Sequence, residues 1–411
     1  MDPRPTILIL SASPLHRDPR VLTQIRALRE EYDLVCMGLG RLDDKRVRFL
    51  GMHLIGNPLV DKIFRRLSGI VCREGFLRLG LFRCAYFFQS HVLATTIKSW
   101  RLKPDLILCN DINMLPSATL VKTRSGGGLY LDAHEYTPRQ WDGDPAFKLW
   151  EPYWDDIMRR YSSAVDHMTT VCESIAMNYK RNYSLDHREI VLNVPTSFPD
   201  LIPTAVHEDR IRLVHHGVTN RNRQLEAMIR IVGELGSRFT LDFYLVTTDK
   251  VYLAELVNLA KDNDRIQFHD PVPTARIPEE LNEYDIGLFP LSPLSANYRY
   301  ALPNKFFEFI QARLAIAIWP SVEMKKIVEE HGLGIVTGDF SEEQMIERLR
   351  AITVDEIMSY KGNAHKAAPL YHSERSEALI RSGVRKCLGT TDVGSGPRST
   401  GVGVDSPEAI R

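Results

Sequence analysis

Cysteine is scarce and scattered. The 411-residue chain has six, Cys36, Cys72, Cys84, Cys109, Cys172 and Cys387, with no C-x-x-C pair and no histidine partner at finger spacing. Neither a disulfide scaffold nor a structural zinc site is expected. Cys36 and Cys109 sit in apolar, strand-like runs where a thiol behaves as a small buried hydrophobe, and a reducing, cytoplasmic setting is the expectation. Net charge is also lacking, since 52 Lys and Arg stand against 52 Asp and Glu. No bulk field draws in nucleic acid, which is therefore excluded as a partner. No uncharged run is long enough to span a bilayer. The start, Met1-Asp2-Pro3-Arg4-Pro5 followed by the short apolar run Thr6–Leu10, lacks the apolar core of a signal peptide.

Several chemical fingerprints are missing as well. The loop after the first apolar run reads Ser11-Ala12-Ser13-Pro14-Leu15-His16, without the GxGxxG of a dinucleotide site, and no GxxxxGK[ST], HExxH or GxSxG occurs. Gly126-Gly127-Gly128 precedes a strand-like run instead of opening a helix, so it reads as a flexible turn.

With 44% hydrophobic and 25% charged residues, the chain has the composition of a globular protein. At about 150 residues per domain its length implies two sizeable domains plus appendages. Short apolar runs alternate with helix-periodic segments: Thr6–Leu10, then Val21, Ile25 and Leu28, then Tyr32–Leu39, Asp105–Cys109, Leu129–Ala133, Met168–Cys172 and Ile190–Val194. Several are apolar throughout, as strands covered on both faces should be. Between Asn193 and Pro203 three prolines deny both helix and central strand, which marks a linker. Alternation resumes at Ile211–His215, Leu241–Thr247, Ile266–Phe268, Ile286–Leu291, Leu314–Trp319 and Ile335–Val336. The expected fold class is α/β, with Rossmann-like units over 1–195 and 196–370, a last helix over 371–388, and a disordered, Gly/Ser/Thr/Pro-rich tail over 389–411.

Residues 62–83 interleave Lys62, Arg65, Arg66, Arg73, Arg78 and Arg83 with Phe64, Leu67, Ile70, Phe76, Leu79, Leu81 and Phe82. Two readings stand. The favoured one is a helical excursion packed on its own domain with solvated arginines; the other is a basic amphipathic surface for peripheral contact with anionic headgroups.

In an open parallel sheet, ligands bind beyond the carboxyl ends of the strands, and polar clusters fall at such ends here: Ser11–Arg20, Asn110-Asp111, Asp132–Glu135, His215–Arg223 and Ser292–Lys305. The sharpest is Leu302-Pro303-Asn304-Lys305-Phe306-Phe307-Glu308. With Pro303 as first helical residue, the helix start aims free N–H groups and a partial positive charge at the cleft, where phosphate binds. Lys305 adds a full charge for a diphosphate, and Glu308, one turn on, accepts from two vicinal hydroxyls of a ribose. Arg223, beside Gly217, is placed to clamp phosphate and stabilise a departing diphosphate. Surface arginines at helix starts are also common. His134 lies between Asp132 and Glu135, which orient or tune the ring in the functional reading; the alternative is a structural histidine. Asp18 and Arg20 are either a helix cap and a salt bridge or acceptor contacts.

In this order, Arg17-Asp18-Pro19-Arg20-Val21, Tyr130–Glu135, Thr170–Ile175 and Leu302–Glu308 resemble the GT-B-fold retaining glycosyltransferases of the family-four type. The resemblance runs over nearly all of Ile7–Leu388. It implies two facing Rossmann-like domains with an interdomain cleft, the nucleotide sugar (UDP-sugar favoured, GDP-sugar as the alternative) held by the second domain and the acceptor by the first. It also implies that the last helix, here over Tyr371–Leu388, crosses back to the first domain. Glu308 then matches the ribose-binding glutamate, Arg223 and Lys305 the diphosphate contacts and His134 the histidine near the reacting sugar. His134, Arg223 and Lys305 are thus the catalytic candidates, and Gly217, Arg223, Val272, Asn304, Lys305 and Glu308 the donor-binding ones, with the base seated at the Asp270–Val272 turn. Asp18, Arg20, Asp111 and Glu135 are the candidate contacts to a small-molecule, glycan or lipid-linked acceptor. No metal or cofactor is implied, and the reaction retains configuration without an enzyme nucleophile. One departure stands out: where the family often carries a second glutamate, eight residues before Glu308, this chain has Tyr300. A nucleotide-sugar 2-epimerase and a non-catalytic nucleotide-sugar-binding subunit remain as alternatives.

Overall fold

The computed structural model describes residues 3–54, 58–186 and 189–389, the side chains of 58 and 59 apart. Seven strands form the first sheet: β1 (Thr6–Pro14), β2 (Asp33–Leu39), β3 (Val47–Gly51), β4 (Leu106–Asn110), β5 (Gly128–Ala133), β6 (His167–Thr170) and β7 (Glu189–Ile190). Six form the second: β8 (Ile211–Val218), β9 (Phe239–Val246), β10 (Ile266–His269), β11 (Ile286–Phe289), β12 (Ala315–Ile318) and β13 (Gly334–Val336). The orders are β3-β2-β1-β4-β5-β6-β7 and β10-β9-β8-β11-β12-β13, and every pairing is parallel. Such sheets are covered on both faces. Accordingly Ile7 to Leu10 of β1 and Leu106 to Cys109 of β4 are fully buried.

Strand order reverses between β1 and β4 in the first sheet and between β8 and β11 in the second. Each reversal opens a crevice at the strands' carboxyl ends, and the loops after these four strands carry most of the polar clusters noted above. No strand signal marks β3 in the sequence. It is a short edge strand in which Arg48 interrupts the apolar run, so neither length nor burial signals it.

Residues 191–210 run without helix or strand. They are anchored to the second sheet's layer by buried Arg313, which donates to Phe198 O (2.7 Å) and Leu201 O (3.1 Å). The final helix, Ser373–Leu388, lies against the first sheet, with Ile380 and Val384 in the core around Ile7, Ile9 and Tyr130. Apart from Gly389, the expected tail lies outside the described residues. Among the described residues no helix is long and apolar enough to cross a membrane.

Candidate functional site

A cavity of about 690 Å³ lies between the two sheets, lined from the first half by Arg20, His134, Glu135 and Trp141 and from the second by Gly217, Arg223, Tyr298, Lys305 and Glu308 among others. Its floor on the second side is the helix Asn304–Gln311. Phe306, Phe307, Phe309 and Ile310 are completely buried, each worth about 1.5–3 kcal/mol of burial, so this helix cannot swing. Phe309 lies so close to β11 that a Cβ on Gly287 would fall 2.5 Å from its ring.

Pro303 is the N-cap, with φ −81° and ψ 157°, and not the first helical residue as the sequence suggested; helical geometry begins at Asn304. The consequence is a more open helix start. Proline has no side-chain acceptor and no cap hydrogen bond forms, so the leading N–H groups are left to whatever occupies the cavity. Leu302, Pro303, Asn304 and Lys305 all line it.

Lys305 is buried and donates to His215 Nε2 at 2.7 Å. His215 Nδ1 faces Leu288 O at 2.9 Å, which makes Nδ1 the protonated nitrogen and Nε2 the acceptor. Burial first, then the nearby Arg223, pushes the Lys305 pKa well below the ordinary lysine value. Gly217 gives this ammonium its room: at φ +132°, a Cβ there would sit 2.9 Å from Lys305 Nζ. Arg223 has no ion pair or side-chain hydrogen bond among the described residues, its Nε is buried without a partner, and burial lowers its pKa. Two basic side chains, neither in an ion pair with a carboxylate among the described residues, thus meet an uncapped helix start.

Glu308 lies 3.2 Å from His216 Nε2. Burial raises its carboxyl to about 7, the positive Lys305 opposing the shift, while His216, pushed well below its ordinary pKa by burial and Lys305, is neutral. Val272 and Asn304 also line the cavity, as does Tyr300.

On the first side, His134 sits between Asp111 (Nδ1 to Oδ2 3.5 Å) and Asp132 (Nε2 to Oδ2 3.4 Å). Glu135 is not its orienting partner, as the sequence suggested; the carboxylate on the other side is supplied by Asp111, brought in from the end of β4. Asp111 is held at φ +60° and accepts the His134 N–H at 2.8 Å. Burial opposes a charge on His134, but the two carboxylates outweigh it and raise its pKa to about 9. The ring is therefore a cation at neutral pH, a hydrogen-bond donor and not a base. Because the folded pKa lies above the ordinary 6.5, the stabilisation is fully present below pH 6.5 and is lost as pH rises through about 9. The stability advantage of the wild type over His134→Asn is expected to shrink by on the order of 2 kcal/mol between pH 6 and pH 9.5 in chemical denaturation. A constant advantage would mean the ring is already neutral.

Three candidate acceptor contacts have other work. Asp18 caps the helix Pro19–Leu28, accepting from the N–H groups of Arg20 and Val21. The Arg20 guanidinium is buried in a two-pronged pair with Asp132 (2.6 and 2.7 Å), which holds the Asp132 carboxyl far below the carboxylate range against the effect of burial. Asp111 serves His134, and neither it nor Asp18 lines the cavity. Glu135 does, and burial followed by Asp111 raises its carboxyl to about 7.

The residues that join the two sides carry little sequence signal. Asp142 pairs with Arg299 and accepts the Ala296 N–H at 2.8 Å. Asn297 accepts the Tyr136 N–H at 3.1 Å, and the rings of Trp141 and Tyr298 lie 6.1 Å apart. Gly143 lies so close to Leu294 that a Cβ would fall 2.3 Å from its carbonyl oxygen. None of these contacts follows a local pattern; each joins residues more than 140 apart in the chain. The adjacent pair His215-His216 at the end of an apolar run was the one legible sign of the layer behind Lys305 and Glu308.

Two facing all-parallel sheets, each opening at its switch point onto one shared cavity, define the GT-B architecture. No family model matches the sequence, and no curated protein does. Solved structures do. The chain is similar to HepE of Anabaena in complex with UDP and glucose (TM-score 0.62, 10% identity, 93% of this chain and 100% of that one). It is similar also to α,α-trehalose 6-phosphate synthase from Burkholderia multivorans (0.65, 12%, 94% and 99%). A third likeness is to sucrose-phosphate synthase from Thermosynechococcus elongatus (0.68, 10%, 94% and 99%). The shared property at these identities is the fold.

Proposed function

We propose that this protein is a glycosyltransferase that moves a sugar from a nucleoside-diphosphate sugar to an acceptor hydroxyl. The observation that carries this reading is the pair of basic side chains, Arg223 and Lys305, neither in an ion pair with a carboxylate among the described residues, at an uncapped helix start, with the Glu308 carboxyl one turn further along. A diphosphate fits the first part and a ribose the second. UDP is the favoured nucleotide, since HepE, of the same fold, binds UDP and UDP-glucose; the base then rests at the Asp270–Val272 turn.

In this reading the bond from the sugar's anomeric carbon to the diphosphate oxygen breaks as Arg223, Lys305 and the helix N–H groups take up the growing negative charge. The acceptor oxygen forms its bond to the same carbon from the face the diphosphate leaves. Its proton passes to the departing diphosphate, so configuration is retained without an enzyme nucleophile. No metal is required for this charge, because the chain's own groups supply it. The cationic His134 ring, its two nitrogens facing Asp111 and Asp132, lends positive charge to the cavity wall near the sugar, and Glu135 faces the acceptor side. Tyr300 closes the wall where a second carboxylate would bind donor hydroxyls, so sugar selection falls to Tyr298, Asn297 and Trp141.

The test is incubation with UDP-, GDP- and dTDP-sugars. Slow release of nucleoside diphosphate, fastest from a UDP-sugar, is the expected result. Exchange at C2 without release would replace the transferase with an epimerase, and binding with neither would make the protein a non-catalytic subunit.

A further inference from the structure

The helix Pro58–Ile70 is built inside out. Its inward positions are polar: Asp61 and Ser68 are 2% and 3% exposed, and Asp61 is held by Arg65 (2.7 Å) and the Leu54 N–H (3.0 Å). Its apolar positions face solvent, with Ile63, Leu67 and Ile70 at 52%, 56% and 50% exposed. At about 100° per residue these three fall within a stripe about 60° wide. Val71 (44%), which opens the next helical segment Val71–Leu77, adds to this exposed apolar surface, and beyond that segment Leu79 and Leu81 are 72% and 46% exposed. The favoured sequence reading puts the aromatics of this region in the core, and Phe76 and Phe82 pack half-buried against Tyr153 and Tyr86; on the aliphatics that reading is silent.

The rim of this apolar face is basic. Lys62 and Arg66 lie along one edge of the stripe and Arg83 beyond the turn, all exposed and none with a carboxylate partner among the described residues. Arg73 and Arg78 share the single Glu74. Over 60–88 six basic residues stand against two acidic ones, in a chain whose 52 basic and 52 acidic residues sum to zero. A second copy of the chain meeting this face about a two-fold axis would set like charges against each other. An anionic bilayer complements both parts, headgroups for the rim and acyl chains for the stripe.

We propose that the outer face of the helix Pro58–Ile70, with Leu79 and Leu81, docks the protein on an anionic lipid surface. The inference is independent of the transferase reading, because lipid binding is measured without substrate.

The experiment is co-sedimentation of the full chain with phosphatidylglycerol-containing vesicles and with pure phosphatidylcholine vesicles, at low and high salt. Binding to the anionic vesicles is expected to exceed binding to neutral ones by at least about tenfold and to fall with salt. Lys62→Glu/Arg66→Glu, a purely surface change, is expected to lower it by about tenfold or more. Leu67→Ser is expected to weaken it with an unchanged melting temperature. Equal binding to both vesicle types, no binding to either, or an unaltered Lys62→Glu/Arg66→Glu variant would overturn the proposal. So would a dimer in sedimentation velocity that Leu67→Ser dissociates while vesicle binding is absent, since the face would then serve self-association.

Discussion

Arg223→Ala is expected to slow sugar transfer by about 10²–10³-fold, the usual effect of removing one preorganised donor to a developing oxyanion. The expectation follows from what Arg223 does not do. It has no carboxylate partner and an unpaired buried Nε, so its side chain contributes little to holding the fold together. Burial that lowers its pKa is a cost the folded protein carries until an anion arrives. The loss should therefore appear in the rate of nucleoside diphosphate release, with the melting temperature unchanged or slightly raised. Arg223→Lys keeps the charge but loses the two-pronged geometry and should recover only part of the rate. A rate within about twofold of wild type in Arg223→Ala would remove this residue from the leaving-group site.

Glu308→Ala is expected to weaken UDP binding by about 10–100-fold, from hydrogen bonds to a charged group worth about 1.5–3 kcal/mol. The more telling comparison is with inorganic pyrophosphate, which has no ribose. Calorimetry should show its affinity unchanged in Glu308→Ala, while Lys305→Ala weakens both ligands. The difference separates the pentose contact from the diphosphate contact on one helix, three residues apart. Equal loss for UDP and pyrophosphate would mean that Glu308 acts by setting the charge of Lys305 and does not touch the ribose; undiminished UDP affinity would remove the donor site from this helix.

Much of the molecule was legible before any coordinates. Unbroken apolar runs such as Ile7–Leu10 and Leu106–Cys109 announce strands covered on both faces, and their alternation with helical periodicity leads to a parallel sheet. Helix Asn304–Gln311 could be read as a phosphate seat because its chemistry is local: proline, lysine and glutamate within six residues. Where signals were local but ambiguous, the reading divided. Asp18 and Arg20 occupy the right loop, yet the structure turns one into a helix cap and commits the other to Asp132, 112 residues away. For His134, the missing piece was Asp111, which sequence distance hides and β4–β5 pairing brings alongside. Residues 62–83 show the same limit, because amphipathic periodicity marks a stripe without saying whether that stripe faces inward.

The sequence by itself determined the fold class, the break near Asn193–Pro203 and the identity of the helix whose start meets the cavity. These depend on periodicity, proline and charge within a few residues of each other. Tertiary structure alone decided which charges are free and which are spent. Arg20 and Arg223 look alike as letters, but one meets a buried carboxylate across the sheet and the other meets none. Electrostatic availability depends on what lies within a few ångströms in space, and chain order does not encode that distance.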